Sequence, residues 1–178
     1  SRLCDRSDAA AAGLRSAAQN LLDQIRTARQ SPPEACVLPA ELSEDHHGQL
    51  WLATPYAGHW SLDELLIRGG RLPWSAGAEI GRELLHCLIW FEQSGVLHGD
   101  LTTAAVRVND HGRVRLTSAC ARRIRRPASS IGQQLTLRDC EAAAPELAQA
   151  ARQPDRRSEL YSLGCLLWQL LAGRPVII

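Results

Sequence analysis

Residues 96–121 read Val-Leu-His-Gly-Asp-Leu-Thr-Thr-Ala-Ala-Val-Arg-Val-Asn-Asp-His-Gly-Arg-Val-Arg-Leu-Thr-Ser-Ala-Cys-Ala. Val106 to Val108 and Arg113 to Leu116 are short extended runs flanking Asn109-Asp110-His111-Gly112. A glycine-bearing turn between two such runs predicts a β-hairpin. Upstream, His98 and Asp100 occupy a polar loop that follows Gly95. That glycine closes a long helical pattern, as a C-terminal cap does.

Working outward, the helix before the loop is predicted over about Ser75 to Ser94. Ile80, Leu84, Leu88 and Phe91 line one face, and Leu85, Ile89 and Trp90 widen it, so the helix should be largely buried. A short capped helix opens at Ser61, after Pro55-Tyr56-Ala57-Gly58 breaks the preceding pattern. Val37 to Leu42 and Gln49 to Thr54 read as a first hairpin around a polar turn. Residues 8–29 hold Leu14, Ala18, Leu21, Leu22, Ile25 and Ala28 at helical spacing, with Pro32-Pro33 forcing a stop. Downstream, residues 118–140 lack periodicity and form a long loop, and a helix begins near Pro145 and runs to about Ala151. The last helix, roughly Glu159 to Ala172, is apolar nearly all round and should be central and buried, ending at Gly173 and Pro175.

The 178 residues suffice for one domain with a real core, and the formal charge of +1 gives no bulk case for nucleic acid or membrane binding. The longest apolar run, Cys165 to Ala172, contains Gln169 and falls far below the ~20 residues of a span. No charged start precedes a hydrophobic stretch, so no signal peptide is visible. Six cysteines without a C-x-x-C pair read as free thiols of a reducing, cytoplasmic setting, with Cys87 and Cys165 as core fillers. The chain has no Met, which points to a piece of something longer, and no Lys: all 20 basic residues are Arg.

Leu97-His98-Gly99-Asp100-Leu101, Ala144-Pro145-Glu146 and Ser158-Glu-Leu-Tyr-Ser-Leu-Gly164 stand in this order, each on the element its family role requires. Together they resemble the catalytic loop, the end of the activation segment and the start of helix F of a protein kinase. The resemblance implies an α+β, protein kinase-like fold, covering helix C through helix F and truncated after it. Residues 1–57 would be a partial N-lobe of helix and hairpin up to the hinge. Residues 58–178 would be a mainly helical C-lobe with remnants of the catalytic and activation loops. A whole kinase domain sits near the upper end of ordinary domain sizes, roughly 250 residues.

Phosphoryl transfer rests on positioning and charge neutralisation, so each family part has a physical job. No G-x-G-x-x-G is present to cover phosphates, and no Lys exists to hold them. The first helix offers only Asp23 as an acidic partner. The two metal-holding positions correspond to Ala105 and Ser118, and the packing-switch Phe to Ala119. A hydroxyl brings no charge to a magnesium shell. The position that floors the adenine pocket corresponds to Arg107, a guanidinium that must fill the pocket, find an acidic partner or rotate outward. Asp100 matches the catalytic base and His98 a structural loop residue, and Gly99 replaces the Arg that pairs with a phosphorylated loop. Glu146 pairs in the family with an Arg beyond helix F, and the apolar end Val176-Ile177-Ile178 wants covering.

Arg122-Arg123-Ile-Arg125-Arg126 reads first as a solvated loop and second as a dock for an acidic partner or phosphate. Ser129 and Ser130 beside it form a weak match to an Arg-directed phosphorylation site. Trp90 and Trp168 read as core, while Trp60 and Trp74 read as half-buried packing before partner anchors. The resemblance therefore implies a pseudokinase, with vestigial Asp100, no metal and no cofactor, serving a protein partner or other domains of the same protein. The alternatives are an active Ser/Thr kinase or small-molecule phosphotransferase with an unorthodox site, or a nucleotide sensor without turnover. His-Gly-Asp-Leu also occurs in aminoglycoside-type phosphotransferases, but Ala105 and Ser118 count equally against that chemistry.

Overall fold

The computed structural model describes residues 8–28, 31–39, 41–46, 50–117, 142–148 and 155–176. Good helix formers make α1, Asp8–Arg26, whose Ala18, Leu21 and Leu22 are buried. Thr27 Oγ1 donates to the Asp23 carbonyl as the helix ends, ahead of the paired prolines. On its outer side Arg15 pairs with Glu44 of β1.

β1, Glu41–Glu44, and β2, Leu50–Ala53, form an antiparallel pair with Leu42 opposite Leu52. The first strand thus starts later than the Val37 that the sequence suggested. The reason is a competing partner. Val37 N–H donates to the Leu116 carbonyl (2.8 Å), and Leu116 N–H donates to the Ala35 carbonyl (2.6 Å). Cys36 accordingly bridges Leu116 in parallel, and Pro39, which has no N–H to give, separates this segment from β1.

A second sheet has the order β3-β4-β5, from Trp60–Ser61, Val106–Val108 and Val114–Leu116. Ser61 also caps α2, Leu62–Gly69: the Glu64 carboxylate accepts from both the Ser61 N–H (2.8 Å) and its hydroxyl (2.7 Å). Gly58 precedes this turn with φ 141°, and a Cβ there would lie 2.6 Å from the Val108 carbonyl carbon. Only glycine lets the hinge-like stretch cross the end of β4 so closely.

α3, Trp74–Gln93, matches the expected helix almost residue for residue. The final helix, α4, is Arg156–Ala172. It begins before the expected Glu159 because Asp155 and Ser158 cap each other: Ser158 N–H donates to Asp155 Oδ1 and Asp155 N–H to Ser158 Oγ, both at 2.9 Å. Apolar periodicity marks where a helix is buried, not where its caps lie. α3 and α4 pack antiparallel, with Gly77 under Leu171, Gly81 under Leu167, and Glu92 ion-paired to Arg156 at 2.9 Å. A Cβ at Gly77 would stand 2.7 Å from Leu171 Cδ2, so the helices touch where the side chain is missing.

Leu22, Leu62, Leu84, Phe91, Leu116, Leu166 and Leu170 form the buried centre. Full burial of each such side chain contributes about 1.5–3 kcal/mol. Cys36, Cys87 and Cys165 are buried free thiols. The hydrogen bond between Cys36 and Cys87, and then burial, push the Cys36 thiol well above its ordinary range. Cys4, Cys120 and Cys140 lie outside the described residues.

The outer faces differ from expectation. α4 is not buried all round: Leu160 and Tyr161 are exposed, and Trp168 is 50 % exposed rather than core. On α3, Leu85 and Ile89 also face outward. Leu85, Ile89 and Leu160 line one shallow cavity between α3 and α4, so this part of their contact stays partly open to solvent. Trp90 is buried as expected, Trp60 is half-buried beneath the Arg68 guanidinium (3.9 Å), and Trp74 is 74 % exposed. Among the described residues no helix is long and apolar enough to cross a membrane.

Candidate functional site

The loop between α3 and the 3₁₀ turn Thr103–Ala105 is held from inside by His98, which has no exposed surface. Asp100 N–H donates to His98 Nδ1 (3.3 Å), so that nitrogen carries no proton. Nε2 must then bear it, and it lies 2.8 Å from the Thr117 carbonyl, an acceptor only. Both ring nitrogens are satisfied in the neutral form, and Phe91 meets the ring edge-on at 5.7 Å. Burial pushes the His98 pKa down, against the opposing effects of the Thr117 carbonyl and the Asp100 charge.

A second anchor comes from α4. Gly99 N–H donates to Glu159 Oε1 at 2.7 Å, across 60 residues of sequence, and Glu159 is 5 % exposed. Sequence reasoning took Glu159 only as the start of a helix. Its signal was available: an acidic residue within a turn whose neighbours are packed needs a donor. Asp100 is partly exposed and, with Thr102, Leu147, Ser158 and Ser162, lines a cavity of ≈ 20 Å³. That is room for about one water. The three sequence landmarks thus meet: the Asp100 loop, the Pro145–Ala148 turn and the N-terminus of α4.

The hairpin beside the loop is organised differently. Thr117 N–H (2.8 Å) and its hydroxyl (2.9 Å) both donate to the Ala105 carbonyl, which fixes residue 105 against the strand leading to 118. Ala105 is buried and presents a methyl group where the resemblance implies a metal ligand. Ser118 lies outside the described residues, as do Ala119, Arg122 to Arg126, Ser129 and Ser130. A methyl donates nothing to a cation, so the residue at 105 does not fit magnesium chemistry. Among the described residues no group of three or more His, Cys, Asp or Glu is gathered as metal ligands would be.

Arg107 takes the acidic-partner course. Its Nη1 lies 3.4 Å from Glu64 Oε2 and 3.4 Å from the His59 carbonyl. Hydrogen bonds from Ser61, and then the charge of Arg107, hold the Glu64 carboxyl below its usual range. Directly opposite on β5 is Arg115, whose Nη1 donates to the Glu34 carbonyl (2.6 Å) and Nη2 to Glu34 Oε1 (2.5 Å). Arg115 likewise holds the Glu34 carboxyl below its usual range. Neither Arg115 nor Glu34 stood out in the sequence, being 81 residues apart.

No protein-family model matches the chain. It is 29% identical over 133 residues to a probable serine/threonine-protein kinase of Streptomyces coelicolor, covering 72% of this chain and 19% of that protein. It is 26% identical over 157 residues to serine/threonine-protein kinase PknB of Mycobacterium leprae, covering 87% of this chain and 25% of that one. Serine/threonine-protein kinase mig-15 of Caenorhabditis elegans is 30% identical over 144 residues, covering 75% of this chain and 13% of that protein. The chain therefore spans a quarter or less of these relatives. Among solved structures, Rad53 residues 1–466 in complex with AMP-PNP superposes with a TM-score of 0.65 at 19% identity, over 92% of this chain and 38% of that one. The α+β architecture is that of a partial kinase-like fold, and the chain belongs to the protein kinase-like superfamily.

Proposed function

We propose that this chain is a catalytically inactive kinase-like domain, a pseudokinase, that acts as a protein-interaction or regulatory module. The observation that carries this reading is the state of position 105. A buried methyl group replaces a metal ligand there, and the backbone carbonyl is already committed to Thr117. Within these 178 residues no Lys stands to neutralise phosphate charge, and a Gly-rich loop and a Lys upstream of Ser1 would favour the active-kinase reading instead. In this reading Asp100 is a vestigial base with nothing to activate, and His98 is a structural residue that builds the loop. Ala105, Arg107 and Ser118 hold no nucleotide or metal, and no cofactor is required. Residues 1–57 and 58–178 act as remnants of the two lobes. The partner is a protein or another domain of the same protein, in the cytoplasm.

Two observations favour a second reading, an active kinase: the relatives bear the names of serine/threonine-protein kinases, and Asp100 is partly exposed. Incubation with radiolabelled ATP and magnesium, using myelin basic protein and casein as acceptors, separates the two. The pseudokinase reading expects the same background for the protein and its Asp100→Asn variant. Transfer that disappears in Asp100→Asn would establish the active kinase instead.

A further inference from the structure

We propose that Arg115 forms a ligand-independent clamp that holds the 33–37 segment onto the β4–β5 hairpin, beside a weaker pairing of Arg107 with α2. The inference rests on the reading that no nucleotide bridges these parts. It begins with an apparent fault in the sheet. Arg107 and Arg115 are directly opposed across the hairpin, and like charges in that register repel. Val106, Val114 and Leu116 turn to the core on the other face, so a register shift that separated the arginines would expose them.

Each arginine is instead neutralised by a glutamate from a different part of the chain. Glu64 comes from the first turn of α2, where Ser61 already fixes its carboxylate. Glu34 comes from the turn after α1, and Arg115 grips it twice, by carboxylate and by main-chain carbonyl. A two-point grip sets orientation as well as attraction. The Arg115 side chain is 18 % exposed while that of Glu34 is 83 % exposed, so solvent and salt screen the carboxylate arm and the main-chain arm adds a second point of attachment. Next to the grip lie the two main-chain bonds that join Ala35 and Val37 to Leu116. The order Glu34–Arg115–Arg107–Glu64 thus sets the two cations between two carboxylates across one sheet face, and the Arg115 arm ties the connection from α1 to the hairpin without a bound molecule.

Amide hydrogen exchange, followed by NMR on the protein, tests the clamp at the Val37 N–H. Arg115→Gln and Glu34→Gln should each accelerate exchange there about tenfold, while amides in the middle of α3 stay unchanged. The double variant should exchange no faster than either single one, and the reversed pair Glu34→Arg with Arg115→Glu should recover part of the protection. Added salt should speed Val37 exchange in the wild type and not in Arg115→Gln. Unchanged Val37 exchange in both single variants, or additive effects in the double variant, would overturn the proposal. ATP with magnesium is a separate arm. Protection gained on adding it would count against the pseudokinase reading, while the variant series still decides the clamp.

Discussion

The His98 loop and the β4–β5 hairpin face are neighbours in sequence and space, yet they have fared differently. In the loop the groups at its centre are answered: both nitrogens of His98, the amide of Asp100 and the amide of Gly99. On the hairpin face, the residues that the kinase resemblance ties to chemistry are a methyl and a guanidinium, Ala105 and Arg107. The difference teaches that the loop is held by its own hydrogen bonds and asks nothing of the side chains at 105 and 107. A buried histidine cannot be lost without orphaning its partners, whereas the buried methyl of Ala105 needs no partner.

Variants on the two sides should break in different ways. The largest effect is expected from Phe91→Ala, which removes a ring that packs against both His98 and Trp90. It should cost about 3–5 kcal/mol in urea unfolding, and lower the melting temperature by roughly 10 °C. Gly77→Val comes next, because its side chain must displace Leu171 from the α3–α4 contact. About 1–3 kcal/mol is expected, measured in the same way, and a wild-type midpoint would show that the helices are not in contact.

His98 sharpens the comparison through pH. Its folded pKa is lowered, so the unfolded chain binds the extra proton first. Stability from this group is present above the unfolded value of about 6.5 and falls as the pH drops below it, by up to about 1.4 kcal/mol per unit. Urea titrations at several pH values should show this slope in the wild type and a shallower one in His98→Gln. At the other extreme, Arg107→Leu should change unfolding stability by no more than about 0.5 kcal/mol, since its ion pair is half-exposed and long. A loss several times greater would mean that the hairpin face supports the fold as the loop does.

Local features were legible in the sequence. The spacing of Ile80, Leu84, Leu88 and Phe91 marked α3, the turn at Gly112 marked the second hairpin, and the three kinase-like landmarks marked the fold. What escaped was non-local. Val37 looked like the start of the first hairpin and instead, with Ala35, joined β5, because strand propensity does not name the partner. Glu159 and Arg115 are defined by atoms 60 and 81 residues away. Trp168 shows the same limit from the other side: helical periodicity says which face is apolar, and not whether anything covers it.

The central claim is that the fold has outlived the phosphate chemistry. A thermal-shift titration of the protein with ATP and ADP, each with and without Mg²⁺, tests it most directly. Binding at 100 times Kd stabilises a folded protein by ~2.7 kcal/mol, a shift that is readily seen. The account expects no shift in any of the four conditions. A Mg²⁺-dependent shift with ATP would contradict it, because a metal would then be held where Ala105 offers nothing to bind.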